Sequence, residues 1–154
     1  MTDASSILAD ARSILVVDWP TRDVPDTLAR AGYEVVVHGG PGPEDYTSYE
    51  VVGGEVVGQR VGRPPRSADV VYTFRPLEEL PEVVEAALTV GARVVWVQSG
   101  RDEDGGKDPA GCWMPEEEAA GARALVEAAG REYVDRPYLA DAVRGLAARP
   151  DGGL

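Results

Sequence analysis

The sequence is poor in the side chains that build disulfides and metal centres. It contains one cysteine, Cys112, and one histidine, His38, among 154 residues. A single cysteine excludes an internal disulfide framework, and it also excludes the zinc sites that need several cysteines. Because sparse cysteine is typical of a reducing compartment, the sequence predicts a cytoplasmic protein.

Basic residues are also few, since 15 lysines and arginines stand against 27 acidic residues and leave a net charge of -12. This charge repels nucleic acid, anionic membranes and free nucleotides. The N-terminal residues lack the pattern of a signal peptide, and no run approaches the roughly 20 apolar residues that span a membrane. We therefore expect no nucleic-acid or membrane partner, and a phosphate-bearing ligand would need donors placed at its own site.

The length and the hydrophobic content of 44% suffice for one buried core. We expect a single domain over residues 1–148 and a flexible tail over residues 149–154. Short apolar runs predict the strands of a parallel sheet at residues 13–17, 33–38, 68–74, 93–97 and 132–134. Apolar residues at helical spacing predict helices at residues 24–31, 80–90, 115–129 and 137–146.

Two glycines, Gly53 and Gly54, separate short β-type runs at residues 49–52 and 55–57 and predict a small hairpin. The order of the elements predicts a Rossmann-like α/β fold that is doubly wound. Its sheet is expected to be mostly parallel and five-stranded, with helices on both faces and the hairpin as an insertion.

Several side chains have predicted structural roles. Asp23 is expected to cap the helix that follows it, because aspartate is a preferred N-cap residue. Leu88 falls at helical spacing with other apolar residues of its helix, and Leu125 is assigned to the inner face of its own helix. Trp96, in a strand that is apolar throughout, is assigned to the core.

Polar residues follow two of the predicted strands at their carboxyl ends. Gln98, Ser99 and Gly100 follow one strand, and Arg75 follows another. Ligands of open α/β folds bind at that edge of the sheet. The amide and the hydroxyl suit a polar ligand, and an arginine can hold a phosphate or a carboxylate with two hydrogen bonds. A salt bridge from Arg75 to Glu78 is the alternative.

The loop after the first strand, DWPTRD at residues 18–23, contains no glycine. It therefore lacks the G-x-G-x-x-G pattern of ordinary NAD and FAD sites, and the P-loop pattern G-x-x-x-x-G-K-[ST] is also absent from the chain. Thr21 and Arg22, at the start of the helix, could bind a phosphate. The alternative is a loop that only caps the helix.

His38 ends the second predicted strand, and Cys112 lies in a long polar loop. A catalytic histidine or thiol needs a partner group, which the sequence does not show nearby. A polar strand terminus is the alternative interpretation of His38. The acidic run DEDGG at residues 102–106 resembles a calcium loop, but its glycine comes too early and Trp113 stands where the bidentate glutamate belongs.

Four segments together resemble a known family. They are GYEV at residues 32–35, ADVVYTFR at 68–75, VVWVQSG at 94–100, and AAG with YVDR at 128–136. Their motifs are similar to those of the small stand-alone CoA-binding proteins, over roughly residues 14–146. The resemblance implies a Rossmann-like fold related to the CoA-binding domain of acyl-CoA and succinyl-CoA synthetases. It also implies non-catalytic binding of CoA or a related adenine nucleotide.

The predicted cofactor-binding residues are the two helix-start residues, the two glycines after the second strand, and the positions that the resemblance carries over. They are Thr21, Arg22, Gly39, Gly40, Phe74, Arg75, Gln98, Ser99, Gly100 and Arg136. The first loop departs from the family, because Asp18 stands where the family has a glycine and would repel a phosphate. Two other hypotheses therefore stay open: a protein-interaction module or homodimer that has lost the ligand, and an enzyme that uses His38 or Cys112.

Overall fold

A computed structural model describes residues 4–17, 22–40, 42–73, 77–98, 115–135 and 138–148. The helices are α1 (Ala4–Asp10), α2 (Asp23–Arg30), α3 (Leu80–Val90), α4 (Glu116–Ala128) and α5 (Leu139–Ala148). The strands are β1 (Ser13–Val17), β2 (Glu34–His38), β3 (Tyr46–Val52), β4 (Glu55–Arg60), β5 (Val70–Thr73), β6 (Val94–Val97) and β7 (Glu132–Val134). A 3₁₀ turn, Leu77–Glu79, leads into α3.

The strands form one sheet in the order β4-β3-β2-β1-β5-β6-β7. Five neighbouring strands pair in parallel, in the order β2, β1, β5, β6 and β7. Strand β3 pairs antiparallel with β2, and β4 pairs antiparallel with β3. The predicted Rossmann-like α/β class is confirmed. The predicted number of five strands is wrong, because the described residues contribute seven strands to the sheet.

The two extra strands come from the hairpin, which extends the main sheet rather than standing apart from it. Its strand β3 pairs with β2 from Val35↔Tyr49 to His38↔Tyr46. Without this pairing β2 would be an edge strand with unpaired backbone groups. The predicted glycine turn is present, and both Gly53 (φ 59°) and Gly54 (φ 85°) have the positive φ that a two-residue hairpin turn requires.

Helices cover both faces of the sheet, as predicted. Residues of α1, α2 and α5 pack with Ile14, Val35 and Val70 on one face, which we call the α2 face. Residues of α3 and α4 pack with Leu15 and Val71 on the other, the α3 face. Consecutive strand residues thus enter opposite cores, as the alternation of side chains along a strand dictates.

Helix α1 was not predicted from the sequence. Its seven residues are too few to show a helical period, yet Ile7 and Leu8 are buried in the α2-face core. Within the part of the chain that the structure describes, no helix is long and apolar enough to cross a membrane.

The assignment of Leu125 to the inner face of its helix is wrong, and the assignment of Trp96 to the core is right. Leu88 is 45% exposed and Leu125 is 36% exposed, whereas Trp96 is fully buried. The inner face of α3 instead contains Val83, and that of α4 contains Ala119. Both helices have more apolar positions than one buried stripe can hold, so the sequence pattern alone does not show which of the apolar residues are buried.

The predicted N-cap is also wrong. Helix α2 begins at Asp23 itself, and Arg22 stands at the cap position without a side-chain cap hydrogen bond. The Asp23 carboxylate accepts a hydrogen bond of 2.7 Å from the Tyr138 hydroxyl and another from the guanidinium of Arg144. Arg144 of α5 and Tyr138, the residue just before α5, therefore compete successfully with the backbone N–H groups of α2 for this carboxylate.

Candidate functional site

The carboxyl ends of β1, β2, β5 and β6 meet at one edge of the sheet. Strand β2 lies on one side of β1 and β5 lies on the other. This is the position in an open α/β sheet at which successive connections leave to opposite sides and a ligand crevice forms. Among the residues that the structure describes, a cavity opens at this edge on each face.

The cavity on the α2 face, which we call the α2-face cleft, has a volume of about 390 Å³. Its lining residues are Val37, Gly39, Gly40, Asp45, Thr47, Tyr49 and Arg60. The volume lies within the range of about 300–1,000 Å³ that is usual for small-molecule sites. Two of the predicted site residues, Gly39 and Gly40, therefore line one cavity.

Arg22 lies beside this cleft, at the start of α2. Its guanidinium is 4.9 Å from the centre of the Tyr49 ring. The same group donates to Asp26 Oδ1 at 2.9 Å and to the Val56 carbonyl oxygen at 3.2 Å. The structure thus brings a third predicted residue to the cleft, where its charge adds to the positive end of the helix dipole.

Asp45 organises the loop that follows β2. Its carboxylate accepts a hydrogen bond of 2.8 Å from the Gly42 N–H and lies 3.6 Å from the Arg60 guanidinium. A Cβ atom at Gly40 would lie 2.5 Å from Asp45 Oδ2, whereas one at Gly39 would meet only Val37, at 3.8 Å. Gly40 is therefore needed for the close approach of Asp45, whatever it contributes to a ligand.

Asp45 and Arg60 are the site residues that the sequence analysis missed. They place a carboxylate acceptor and a guanidinium donor in the same cleft. An acidic residue near the end of β2 is a signal that could have been read, because in dinucleotide-binding folds such a residue accepts hydrogen bonds from the ribose. Arg60 gave no such signal, since it reaches the cleft only through the pairing of β4 with β3 at Thr47↔Arg60.

Gln98 lies at the end of β6, separated from β1 by β5. Its side-chain oxygen accepts a hydrogen bond of 2.8 Å from the Tyr72 hydroxyl. Tyr72 is fully buried, so its hydroxyl requires this acceptor. The structure does not bring Gln98 to the α2-face cleft.

Six predicted site residues lie outside the described ranges and stay predictions. They are Thr21, Phe74, Arg75, Ser99, Gly100 and Arg136. Asp18, Cys112 and the acidic run at residues 102–106 lie outside these ranges as well. Among the residues that are described, no group of three or more histidine, cysteine, aspartate or glutamate side chains could hold a metal ion.

The cavity on the other face, which we call the α3-face groove, has a volume of about 140 Å³. It is lined by Leu15, Val17, His38, Tyr46, Glu79, Glu82, Val83 and Ala86. The His38 and Tyr46 rings are stacked, with centroids 4.2 Å apart and planes 5° from parallel. His38 Nε2 lies 2.9 Å from the Gly42 carbonyl oxygen. Burial raises the pKa of the Tyr46 hydroxyl.

The start of α2 is also tied to α5. Arg144 contacts both Asp23 and, at 3.2 Å, the Thr27 hydroxyl, and it donates to Asp141 at 2.9 Å. Burial, and then the hydrogen bond to Asp23, raise the pKa of Tyr138. Because Arg144 compensates its charge, Asp23 does not act as an uncompensated negative group at the helix start.

The fold and the crevice at the carboxyl edge together define a Rossmann-like ligand-binding domain. The family described as "CoA binding domain" matches residues 17–141. The chain belongs to this family. No curated protein sequence shows significant similarity to it.

Solved structures support the fold. The chain is similar to Prb, a redesign for binding of the PH1109 protein, with 20% identity, a TM-score of 0.60 and coverage of 94% of this chain and 90% of that one. It is also similar to cell-free ID.343 from Thermus thermophilus, with 22% identity, a TM-score of 0.55 and coverage of 91% and 93%. At these identities the likeness concerns the fold.

Proposed function

We propose that the protein binds CoA or an acyl-CoA, with the nucleotide in the α2-face cleft, and that it performs no reaction on it. The observation that carries the proposal is the placement of this cleft at the carboxyl end of β2, beside the N-terminus of α2, in a member of the CoA binding domain family. Nucleotides of open α/β folds bind at that position.

The start of α2 supports a diphosphate. The free N–H groups of a helix N-terminus and its dipole attract an anion. Arg22 adds a guanidinium whose side chain is 55% exposed, so it can turn from Asp26 to a phosphate. The nearby carboxylate of Asp23 is bonded to Tyr138 and Arg144, which reduces the repulsion that it would otherwise exert.

The hairpin side of the cleft supports the adenosine 3′-phosphate that distinguishes CoA from other adenine nucleotides. Arg60 is a donor to this phosphate, and Asp45 is an acceptor for the neighbouring ribose hydroxyl. The two groups are 3.6 Å apart, so adjacent substituents of one ribose can meet both.

The contacts of His38 support a binding protein rather than an enzyme. Its Nε2 lies against a backbone carbonyl, and its ring is stacked on Tyr46. A general base needs its nitrogen directed at a substrate proton instead. The function proposed for His38 is therefore to hold the loop that contains Gly42.

Calorimetric titration with CoA, dephospho-CoA and NAD at two salt concentrations tests the proposal. CoA should bind most tightly, and its affinity should fall as salt rises. Arg60→Gln should weaken CoA binding by about 1–2 kcal/mol, since a partly exposed charge-assisted contact is lost. The same variant should change dephospho-CoA binding little.

Arg30→Gln is the matched control, because Arg30 lies on α2 but donates to the Gly54 carbonyl, away from the cleft. Acyl-CoA incubated with the protein should be recovered intact by mass spectrometry. No binding of any of the three compounds would contradict the proposal and favour a module that has lost its ligand. Turnover that disappears in His38→Ala would instead favour an enzyme.

A further inference from the structure

We infer that the α3-face groove receives the acyl group of a bound acyl-CoA and selects short, uncharged acyl groups over dicarboxylic ones. This inference rests on the proposed binding of CoA. It assigns a separate role to a cavity on the opposite face of the sheet from the cleft that would hold the nucleotide.

The two cavities lie on either side of the same chain segment. Val37 and Gly39 line the α2-face cleft, and His38, between them, lines the α3-face groove. Side chains alternate along β2, so the strand end itself separates the cavities. A ligand whose flexible arm crosses the carboxyl edge of the sheet at this point passes from one cavity to the other.

The size and the floor of the groove suit a short apolar group. Leu15, Val17 and Val83 are buried core residues, and Ala86 is half-buried beside them. A closed cavity of about 150 Å³ holds a benzene molecule. The groove, at about 140 Å³, therefore has room for about six non-hydrogen atoms, which is close to the size of a butyryl group.

The walls and the rim of the groove add selectivity. The parallel rings of His38 and Tyr46 form a flat wall against which a thioester or an alkyl chain can pack. Glu79 and Glu82, from the start of α3 and the turn before it, complete the lining. A second carboxylate at the end of an acyl chain would be brought close to the Glu82 carboxylate at the exposed rim of the groove, and like charges repel each other.

The test is a calorimetric comparison of CoA, butyryl-CoA and succinyl-CoA. Butyryl-CoA should bind about tenfold more tightly than CoA, since each buried methylene strengthens binding several-fold. Succinyl-CoA should bind more weakly than butyryl-CoA by at least the same factor. Ala86→Leu, which fills the groove, should lower the affinity for butyryl-CoA far more than that for CoA.

Glu82→Gln should narrow the difference between butyryl-CoA and succinyl-CoA. Ala128→Leu on the exposed end of α4 and Glu85→Gln on the exposed side of α3 are the matched controls and should leave all three affinities unchanged. If Ala86→Leu does not fold, as thermal melting would show, Glu82→Gln decides the question. The inference is supported when Ala86→Leu weakens the binding of butyryl-CoA more than that of CoA, and when Glu82→Gln narrows the difference between butyryl-CoA and succinyl-CoA.

Two results would overturn it. The first is an equal affinity for CoA and butyryl-CoA, or a preference for butyryl-CoA that neither Ala86→Leu nor Glu82→Gln reduces. It would remove the acyl group from the groove while leaving CoA binding intact. No binding of any of the three compounds would overturn the proposed function and this inference together.

Discussion

The two cavities at the carboxyl edge differ in what maintains their shape. The α2-face cleft is walled by the hairpin and by a loop that the polar contacts of Asp45 organise. The α3-face groove has a floor of core side chains, among them Leu15 and Val17, which are 2% and 7% exposed. Changes in the cleft loop should therefore lower the free energy of unfolding less than changes in the groove, because the groove cannot change without altering the core.

Removing a floor side chain of the groove should have the largest effect. Leu15→Ala deletes a buried side chain between the sheet and α3, so the free energy of unfolding should fall by about 2–5 kcal/mol. Thr47→Ala, in the cleft, should lower it by less than about 1 kcal/mol. Chemical denaturation measures both free energies of unfolding, and similar losses in the two variants would contradict the difference expected between the groove and the cleft.

A double-mutant cycle tests whether Gly40 and Asp45 stabilise the cleft through the same contact. Asp45→Ala removes the carboxylate that holds the Gly42 N–H, and it should lower the free energy of unfolding by about 1–2 kcal/mol. Gly40→Ala should have a similar cost, because its Cβ would displace the same carboxylate. In the Asp45→Ala background Gly40→Ala should cost much less, because only the Cβ of residue 45, 3.2 Å from the new Cβ, remains in close contact. Additive costs would show that Gly40 has another role, and Gly39→Ala is the control, with little effect in either background.

The smallest expected effect concerns alkaline pH at the start of α2. The pKa of Tyr138 is raised above 10 in the folded protein. Below pH 10 the folded and the unfolded protein both keep the phenolic proton of Tyr138, so its full contribution to the free energy of unfolding is present. Above pH 10 the unfolded protein releases this proton first, and the free energy of unfolding falls. Tyr138→Phe should reduce this alkaline slope in denaturation experiments between about pH 9 and 11. It should not abolish the slope, because burial also raises the pKa of Tyr33 and Tyr46.

The fold was predictable where one feature of the sequence determines one element. Apolar runs located β1, β5 and β6, and two glycines located the hairpin turn. The register that joins β3 to β2 was not predictable, because Tyr46, Thr47 and Ser48 are polar enough to read as loop. The burial of Ile7 and Leu8 in α1 depends on α5, which is more than a hundred residues away in sequence.

The site was predictable to the extent that it follows strand ends. Gly39 and Gly40 line the cleft because they come directly after β2, and Arg22 lies beside it because it precedes α2. Arg60 required knowledge of the hairpin register. Asp45 could have been identified as an acidic residue near the end of β2, but its contact with Gly40 is visible only in the folded loop.

Two arginines of the α2 region, Arg22 and Arg30, donate hydrogen bonds to the hairpin at the outer edge of the sheet. Strand β4 is the last strand on its side, and a terminal strand offers unpaired backbone groups to any other polypeptide. Arg22 donates to the Val56 carbonyl and Arg30 donates to the Gly54 carbonyl. The Val56 acceptor belongs to β4 and the Gly54 acceptor to the turn before it, so another strand that pairs with β4 at Val56 must first displace the Arg22 side chain.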